Sequence, residues 1–338
     1  MWLELIIRLL LSPYIFAPLI YPGLVTALAI LLTLIWLERK FAAKVQLRYG
    51  PLYVAKQIGG APQLLADAIR FMFQEVIVPR NADKVPFLLA PVLAMSLGIL
   101  PIVFIPVAPG FAGILINFSL PAALALSALM PITIILMAWS ANNKFTIHGG
   151  VREAFITIAY EIALFVSALS MSMLYSSLSL QDIVEKQALV PGILLNPLAA
   201  LTFFVAMLMS AGKLPFDIAE GEQEIVAGPY TEYTGILYGL VMGAGYVQLY
   251  VSSLIFTELF LGGWHPLFEA LGELYPPLGG IALFLKTYLV LAFAVFLRCV
   301  YGRYRIDHAL RIGWRRLIPL SILALLLSLG LRFVGVVV

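Results

Sequence analysis

The chain has 338 residues, of which 62% are hydrophobic and only 12% charged, with a mean hydropathy of +1.01, and that composition excludes an ordinary soluble domain. Its net charge of +3 arises in basic loops between apolar runs, so it does not argue for nucleic acid as a partner. The single cysteine, Cys299, excludes an internal disulfide and any Cys-based metal or iron–sulfur site within this chain.

Residues 1–12 are apolar but lack a basic start followed by a small-residue cleavage site. They read as a short membrane-surface helix ending at Pro13, not as a removable signal peptide. Beyond them, charges are absent over long runs, the longest from Val85 to Asn143. A helix needs roughly 20 apolar residues to cross a ~30 Å hydrocarbon core, so this run is too long for one span. Pro106-Val-Ala-Pro-Gly110 divides it with a turn. The pattern predicts eight spans, near 16–37, 85–106, 118–139, 155–178, 192–211, 235–260, 279–299 and 317–336. Only helices or closed barrels satisfy the backbone in lipid, and these lengths select helices. The expectation is an all-α polytopic membrane protein, with residues 1–338 forming one integral-membrane domain.

Seventeen of the 21 Lys and Arg fall in the first, third, fifth and seventh connections. The positive-inside rule puts those loops in the cytoplasm, or a mitochondrial matrix, and both termini outside; the expected location is the plasma membrane of a prokaryote, as a multi-pass protein. The first inner connection, 38–84, is long. It carries Glu38-Arg39-Lys40 and Gln46-Leu-Arg48-Tyr-Gly50-Pro51, then a run from Gly60 to Glu75 with helical spacing of Leu64, Ala68, Phe71 and Glu75. That run is too short to span and reads as an amphipathic interfacial helix, with Asp67 and Arg70 spaced to pair. In the third connection, Ser140 to Glu153, the asparagines, Gly149-Gly150 and His148 read as a turn. With no second His or Cys at metal spacing, His148 is a turn residue, not a ligand. Glu161 then lies inside the fourth span, where a carboxylate is costly and implies a proton relay or a buried ion pair.

The fifth connection, 212–234, is the densest in acid. It sets Asp217, Glu220, Glu222, Glu224 and Glu232 against Lys213. Pro215 is expected to end or kink the preceding helix. Glu220 and Glu224 would share a helical face, and all three central glutamates would align on an extended segment. Either way, close carboxylates raise one another's pKa and titrate together. The seventh connection carries a cationic cluster that includes Arg303, Arg305 and Arg311, suited to neutralise the acidic loop or to hold lipid headgroups. Lys286 sits within the seventh span and either snorkels outward or pairs with a buried carboxylate. Glu258, near the outer end of the sixth span, is expected to reach water.

Taken in order, these segments resemble subunit 1 of respiratory complex I, the H subunit of its prokaryotic relatives. The resemblance rests on Glu38-Arg-Lys40, Gln46-Leu-Arg-Tyr-Gly-Pro51, Ala66-Asp67, Asn142-Asn-Lys144, Tyr160-Glu161, Pro215-Phe-Asp217, Glu220-Gly-Glu-Gln-Glu-Ile-Val-Ala-Gly228, Glu232-Tyr233, Phe260-Leu-Gly-Gly-Trp264, Lys286-Thr287, and Arg303-Tyr-Arg-Ile-Asp307 with Arg311-Ile-Gly-Trp314. It implies a membrane protein with no redox centre and no catalytic residue of its own. Such a chain would form a quinone chamber with the iron–sulfur and quinone-reducing, hydrogenase-like subunits of a hydrophilic arm, beside small membrane subunits and antiporter-like subunits. NADH, flavin and iron–sulfur clusters would belong to partners, and quinone would be the substrate of the complex. By position, Glu161, Asp217, Glu220, Glu222, Glu224 and Glu232 would form a proton path. Arg39, Arg48, Asp67 and Arg70 would lie at the chamber or its mouth. Two departures stand out: Ser210 and Gly245 occupy positions where many respiratory members carry glutamate. The Gly228-Pro229 step resembles membrane-bound hydrogenases, whose membrane anchor is the alternative reading. A stand-alone ion-coupled transporter is a third, with little support from a span pattern that lacks repeats.

Overall fold

A computed structural model describes residues 12–266 and 276–335. The expected surface helix at residues 1–12 therefore lies almost wholly outside the described residues. Among those residues the fold is all-α, with seven helices long and apolar enough to cross a membrane. In chain order we label α1 Leu24–Val45, α2 Gln63–Phe73, α3 Lys84–Ile99, α4 Ser119–Ala128, α5 Met130–Ser140, α6 Lys144–Tyr175, α7 Leu180–Glu185, α8 Pro197–Ser210, α9 Glu222–Ile225, α10 Gly235–Phe260, α11 Pro276–Val300, α12 Ile306–Ile312 and α13 Ile318–Phe333. Helices α4 and α5 form one span, with Pro131 at the start of α5, and α12 joins α13 through a π-turn at Gly313–Leu317.

The expected eighth span is the short one. A helical turn at Gly192–Leu195 stops at Asn196, whose side chain accepts from the Ala199 N–H and so caps α8. The 14 residues of α8 reach only about 21 Å. Its far end stops at Ala211-Gly212, where Gly212 adopts φ +56°, a conformation glycine reaches without penalty. The stop thus precedes Pro215, which neither ends nor kinks the helix.

Two boundaries move the loops. Helix α1 runs on through Glu38-Arg39-Lys40 to Val45, so the first long connection begins at Gln46, and the interfacial helix α2 is 11 residues. The expected turn at residues 140–153 shrinks to three residues. Asn143 accepts from the Phe145 N–H at 3.1 Å and starts α6, which carries His148, Gly149 and Gly150 within it. The glycines permit close approach, as small residues do in membrane helix packing. A Cβ on Gly149 would lie 2.8 Å from Gly228 Cα, and one on Gly150 would lie 2.6 Å from the Ala138 Cβ.

Helix α10 is the most buried of the spans. It packs against α1, α3, α8 and α11, while α6 lies along α5, α8 and α13. Every residue of α10 from Tyr246 to Phe260 is buried. The side chains facing the end of this helix that adjoins the acidic loop define the site.

Candidate functional site

The loop between α8 and α10 folds back onto the bundle. Tyr304 N–H donates to the Pro215 carbonyl at 2.9 Å, Asn143 donates to Glu232 at 2.6 Å, and Gly228-Pro229 pack on Gly149. These contacts close a cleft of about 20 Å³, lined by Glu153 of α6, Ser210, Lys213, Asp217, Glu220, Tyr230 and Gly245, among others. One water-sized species fits such a space. Lys213 is 6% exposed, and its ammonium lies 4.2 Å above the centroid of the Tyr246 ring, a cation–π contact that offsets part of its desolvation.

Burial dominates the electrostatics. It pushes Glu220 up to about 7, against the pull of Lys213 and with Asp217 adding to the rise. Asp217 is likewise raised by burial and lowered by Lys213, Arg298 and Arg303; its Oδ1 has no hydrogen-bond partner. A carboxylate near pKa 7 takes up and releases a proton at neutral pH. Burial also raises the Tyr230 hydroxyl, with Glu220 the next cause, so Tyr230 remains a neutral donor.

Glu153 completes the cluster and was missed by sequence reasoning, which placed it at the edge of a loop. It is 7% exposed, within electrostatic reach of Glu220, Asp217 and Glu161. Glu153 and Glu161 are two helical turns apart on α6, about 12 Å along its axis. The Glu161 Oε1 is buried without a hydrogen-bond partner.

On the other side of Tyr246 the network continues. Tyr246 donates to Glu38 at 2.9 Å, Arg298 donates to the Tyr246 hydroxyl at 3.0 Å, and Arg298 forms an ion pair with Glu38. Glu38 precedes Arg39, which bonds Asp67 at 2.8 Å. Asp67 thus pairs with Arg39 across two helices, not with Arg70 on its own; Arg70 lies over the Phe71 ring. Arg39 and Asp67 border an apolar cavity of about 260 Å³ between α1, α2 and α10, lined by Leu31, Ile35, Phe71, Met95 and Gly243, among others. Arg48 is exposed, and its guanidinium donates to the side-chain oxygen of Gln46 at 2.6 Å.

The remaining acidic residues separate. Helix α9 begins after Glu220, so Glu220 and Glu224 share no helical face. Glu222 is exposed at the start of α9. Glu224 pairs with Arg152 and, at 3.6 Å, with Arg303; the Arg152 hydrogen bond holds its carboxyl below the usual range. Arg303 therefore neutralises the loop, while Arg305 and Arg311 are exposed. At the opposite end of α10, Glu258 does not reach water: it is fully buried. Lys286 neither snorkels nor hydrogen-bonds a carboxylate, since it donates to the carbonyls of Leu261, Gly263 and His265.

With this geometry in hand, comparisons with known proteins are specific. The model of a family described as NADH dehydrogenase matches residues 19–329. The chain is 39% identical over 310 residues to the H subunit of the F(420)H(2) dehydrogenase of Methanosarcina acetivorans, covering 88% of each. It is 39% identical over 311 residues to the same subunit of the Methanosarcina mazei enzyme, covering 88% of this chain and 87% of the relative. It is 34% identical over 291 residues to the H subunit of the NADH-quinone oxidoreductase of Carboxydothermus hydrogenoformans, covering 86% and 81%.

Proposed function

The chain belongs to the NADH dehydrogenase family of membrane proteins, the subunit 1 family of complex I, and from that premise we propose that it is the component of a complex I-like oxidoreductase that couples quinone reduction to proton movement. It works only within its complex. Electrons arrive through partner subunits that carry flavin and iron–sulfur clusters, and those partners set the electron donor. The acidic loop and the basic connections face the cytoplasm of a prokaryotic cell and dock the hydrophilic arm, while the spans adjoin small membrane and antiporter-like subunits.

The observation that carries the reading is the succession of polar and titratable side chains that runs from the apolar cavity to the interior of α6. The quinone tail enters between α1, α2 and α10, past Arg39 and Asp67, with Arg48 and Arg70 on the same face of the membrane. Glu38, Arg298 and Tyr246 link this mouth to Lys213. Asp217 and Glu220 follow, then Glu153, then Glu161. A negative charge developing on quinone draws the cations of this network toward it, and the carboxylates they leave bind protons more tightly. Glu222, exposed at the start of α9 and within electrostatic reach of Glu220, is the proton-loading group. Glu224 and Glu232 anchor the loop through Arg152 and Asn143, so that their place in the path is to hold it in register.

The test is Glu153→Gln in the purified complex reconstituted into liposomes. Quinone-coupled proton translocation falls at least about tenfold, the usual worth of a positioned proton carrier, while assembly and reduction of an artificial acceptor upstream of the quinone site persist. Normal translocation in that variant would rule out the path. Photolabelling with a quinone analogue is expected in α1, α2 or α10; its absence would favour a hydrogenase-type anchor.

A further inference from the structure

Glu258 lies near the end of α10 that is remote from the acidic loop, about 18 Å along the helix from Tyr246. It is 0% exposed, and neither oxygen of its carboxyl group has a hydrogen-bond partner. Lys286 of α11 is within electrostatic reach, yet its ammonium is committed elsewhere. It donates to the carbonyls of Leu261 at 2.5 Å, Gly263 at 3.1 Å and His265. An ammonium has three N–H donors, and all three are in use. The buried hydroxyls of Thr257 and Thr287 donate to the Ser253 carbonyl and to the Thr257 oxygen, and Gln187, also buried at this end, is spent as well. Its amide donates to the main-chain oxygens of Glu258 and Ile183, and its oxygen accepts from the N–H groups of Gly192 and Gly262. Among the described residues nothing therefore donates to the Glu258 carboxyl, and an ionised carboxylate without donors in a membrane interior is strongly disfavoured. A neutral acid is the form that this site accepts.

A buried hydroxyl lies in the same region. Tyr21, ahead of α1, is within electrostatic reach of Glu258, and its hydroxyl is buried with no hydrogen-bond partner. Its ring lies edge-on to Phe284 of α11, with centroids 6.1 Å apart. We propose that Glu258 is a second proton-binding site of this protein, loaded at neutral pH and exchanging its proton through Tyr21, with Lys286 as the cation that governs release. In the loaded state Lys286 is turned to the carbonyls of the 261–265 turn and Glu258 is the acid. When Lys286 leaves one of those carbonyls, the freed N–H reaches the carboxyl and stabilises the anion. The Glu258 proton then passes to the Tyr21 oxygen, and the phenolic proton of Tyr21 passes to a water molecule that enters from the outer face, so that the hydroxyl is neutral before and after the step. The groups that face Glu258 are thus Lys286 on α11, Tyr21 before α1, and the carbonyls of the turn that ends α10.

This site is independent of the cluster at Glu153, Asp217 and Glu220, and its test reads the acid itself rather than turnover. Infrared difference spectra of the purified complex, wild type against Glu258→Gln, should contain a neutral-acid carbonyl band at pH 7 that is absent from the variant and shifts on transfer to D2O. Tyr21→Phe should slow that shift at least about tenfold, the worth of one positioned proton-transfer group. The proposal is overturned if the difference holds only carboxylate bands, if the band does not shift in D2O, or if Tyr21→Phe leaves the shift rate unchanged. Glutamine is isosteric with the neutral acid, so failure of Glu258→Gln to assemble also overturns it.

Discussion

Replacing Glu220 with Gln tests the electrostatics of the cleft through the sign of its pH dependence. In an unfolded loop Glu220 titrates near 4.5, and in the cleft burial pushes it up to about 7. Between those values the folded loop holds a proton that the opened loop has lost, so this group's contribution weakens as pH rises across that window. A displacement from 4.5 to about 7 is equivalent to about 3 kcal/mol at pH 8, but under about 1 kcal/mol at pH 5. Glutamine cannot ionise and escapes the loss. Hydrogen exchange of the 211–234 segment, measured in the purified complex, should therefore slow by about 100-fold at pH 8 in Glu220→Gln and by only a few-fold at pH 5. Equal slowing at both values, or a larger effect in acid, would refute the assignment of burial as the dominant cause.

Two further substitutions test the packing and the cavity. Gly149→Ala drives a methyl into the backbone at Gly228-Pro229 and should destabilise loop docking by about 1–3 kcal/mol, read as faster exchange of the same segment; Gly302→Ala, where nothing lies within 4 Å, should be silent. Gly243→Leu fills the cavity beside Leu31, whose Cδ1 would lie 3.2 Å from the new Cβ. It should raise the KM for quinone several-fold with little change in artificial-acceptor activity, and an unchanged KM would place the quinone elsewhere.

Much of this architecture was legible in the order of residues. Uncharged runs located the spans because lipid tolerates few charges, and the acidic loop between α8 and α10 stood out against them. Glu153 was not legible, because Gly149-Gly150 carries the signature of a turn and only tertiary contact with Pro229 reveals why a helix keeps both glycines. The loop's five carboxylates looked alike in sequence. They part company because Arg152 and Arg303, distant in the chain, claim Glu224, Asn143 claims Glu232, and Lys213 turns inward with Asp217 and Glu220. Glu258 misled for a related reason: distance along a helix does not say whether a turn such as residues 261–265 folds over its end. Ser210 and Gly245, two isolated departures in sequence, prove to line one cleft. A Cβ on Gly245 would lie 3.5 Å from the Lys213 ammonium, so added glutamates there would stand next to the cation already present.

The 32 residues of α6 make a rod about 48 Å long, well beyond a hydrocarbon thickness of ~30 Å. Its first turns are gripped by the acidic loop at Asn143, Gly149 and Arg152, it packs along α5, α8 and α13, and Glu161 sits at its middle. A stiff rod clamped at one end moves as one piece, so a push delivered to the loop is carried into α6 without any backbone hydrogen bond breaking. Glu153, nearer the clamp than Glu161, follows the loop most directly.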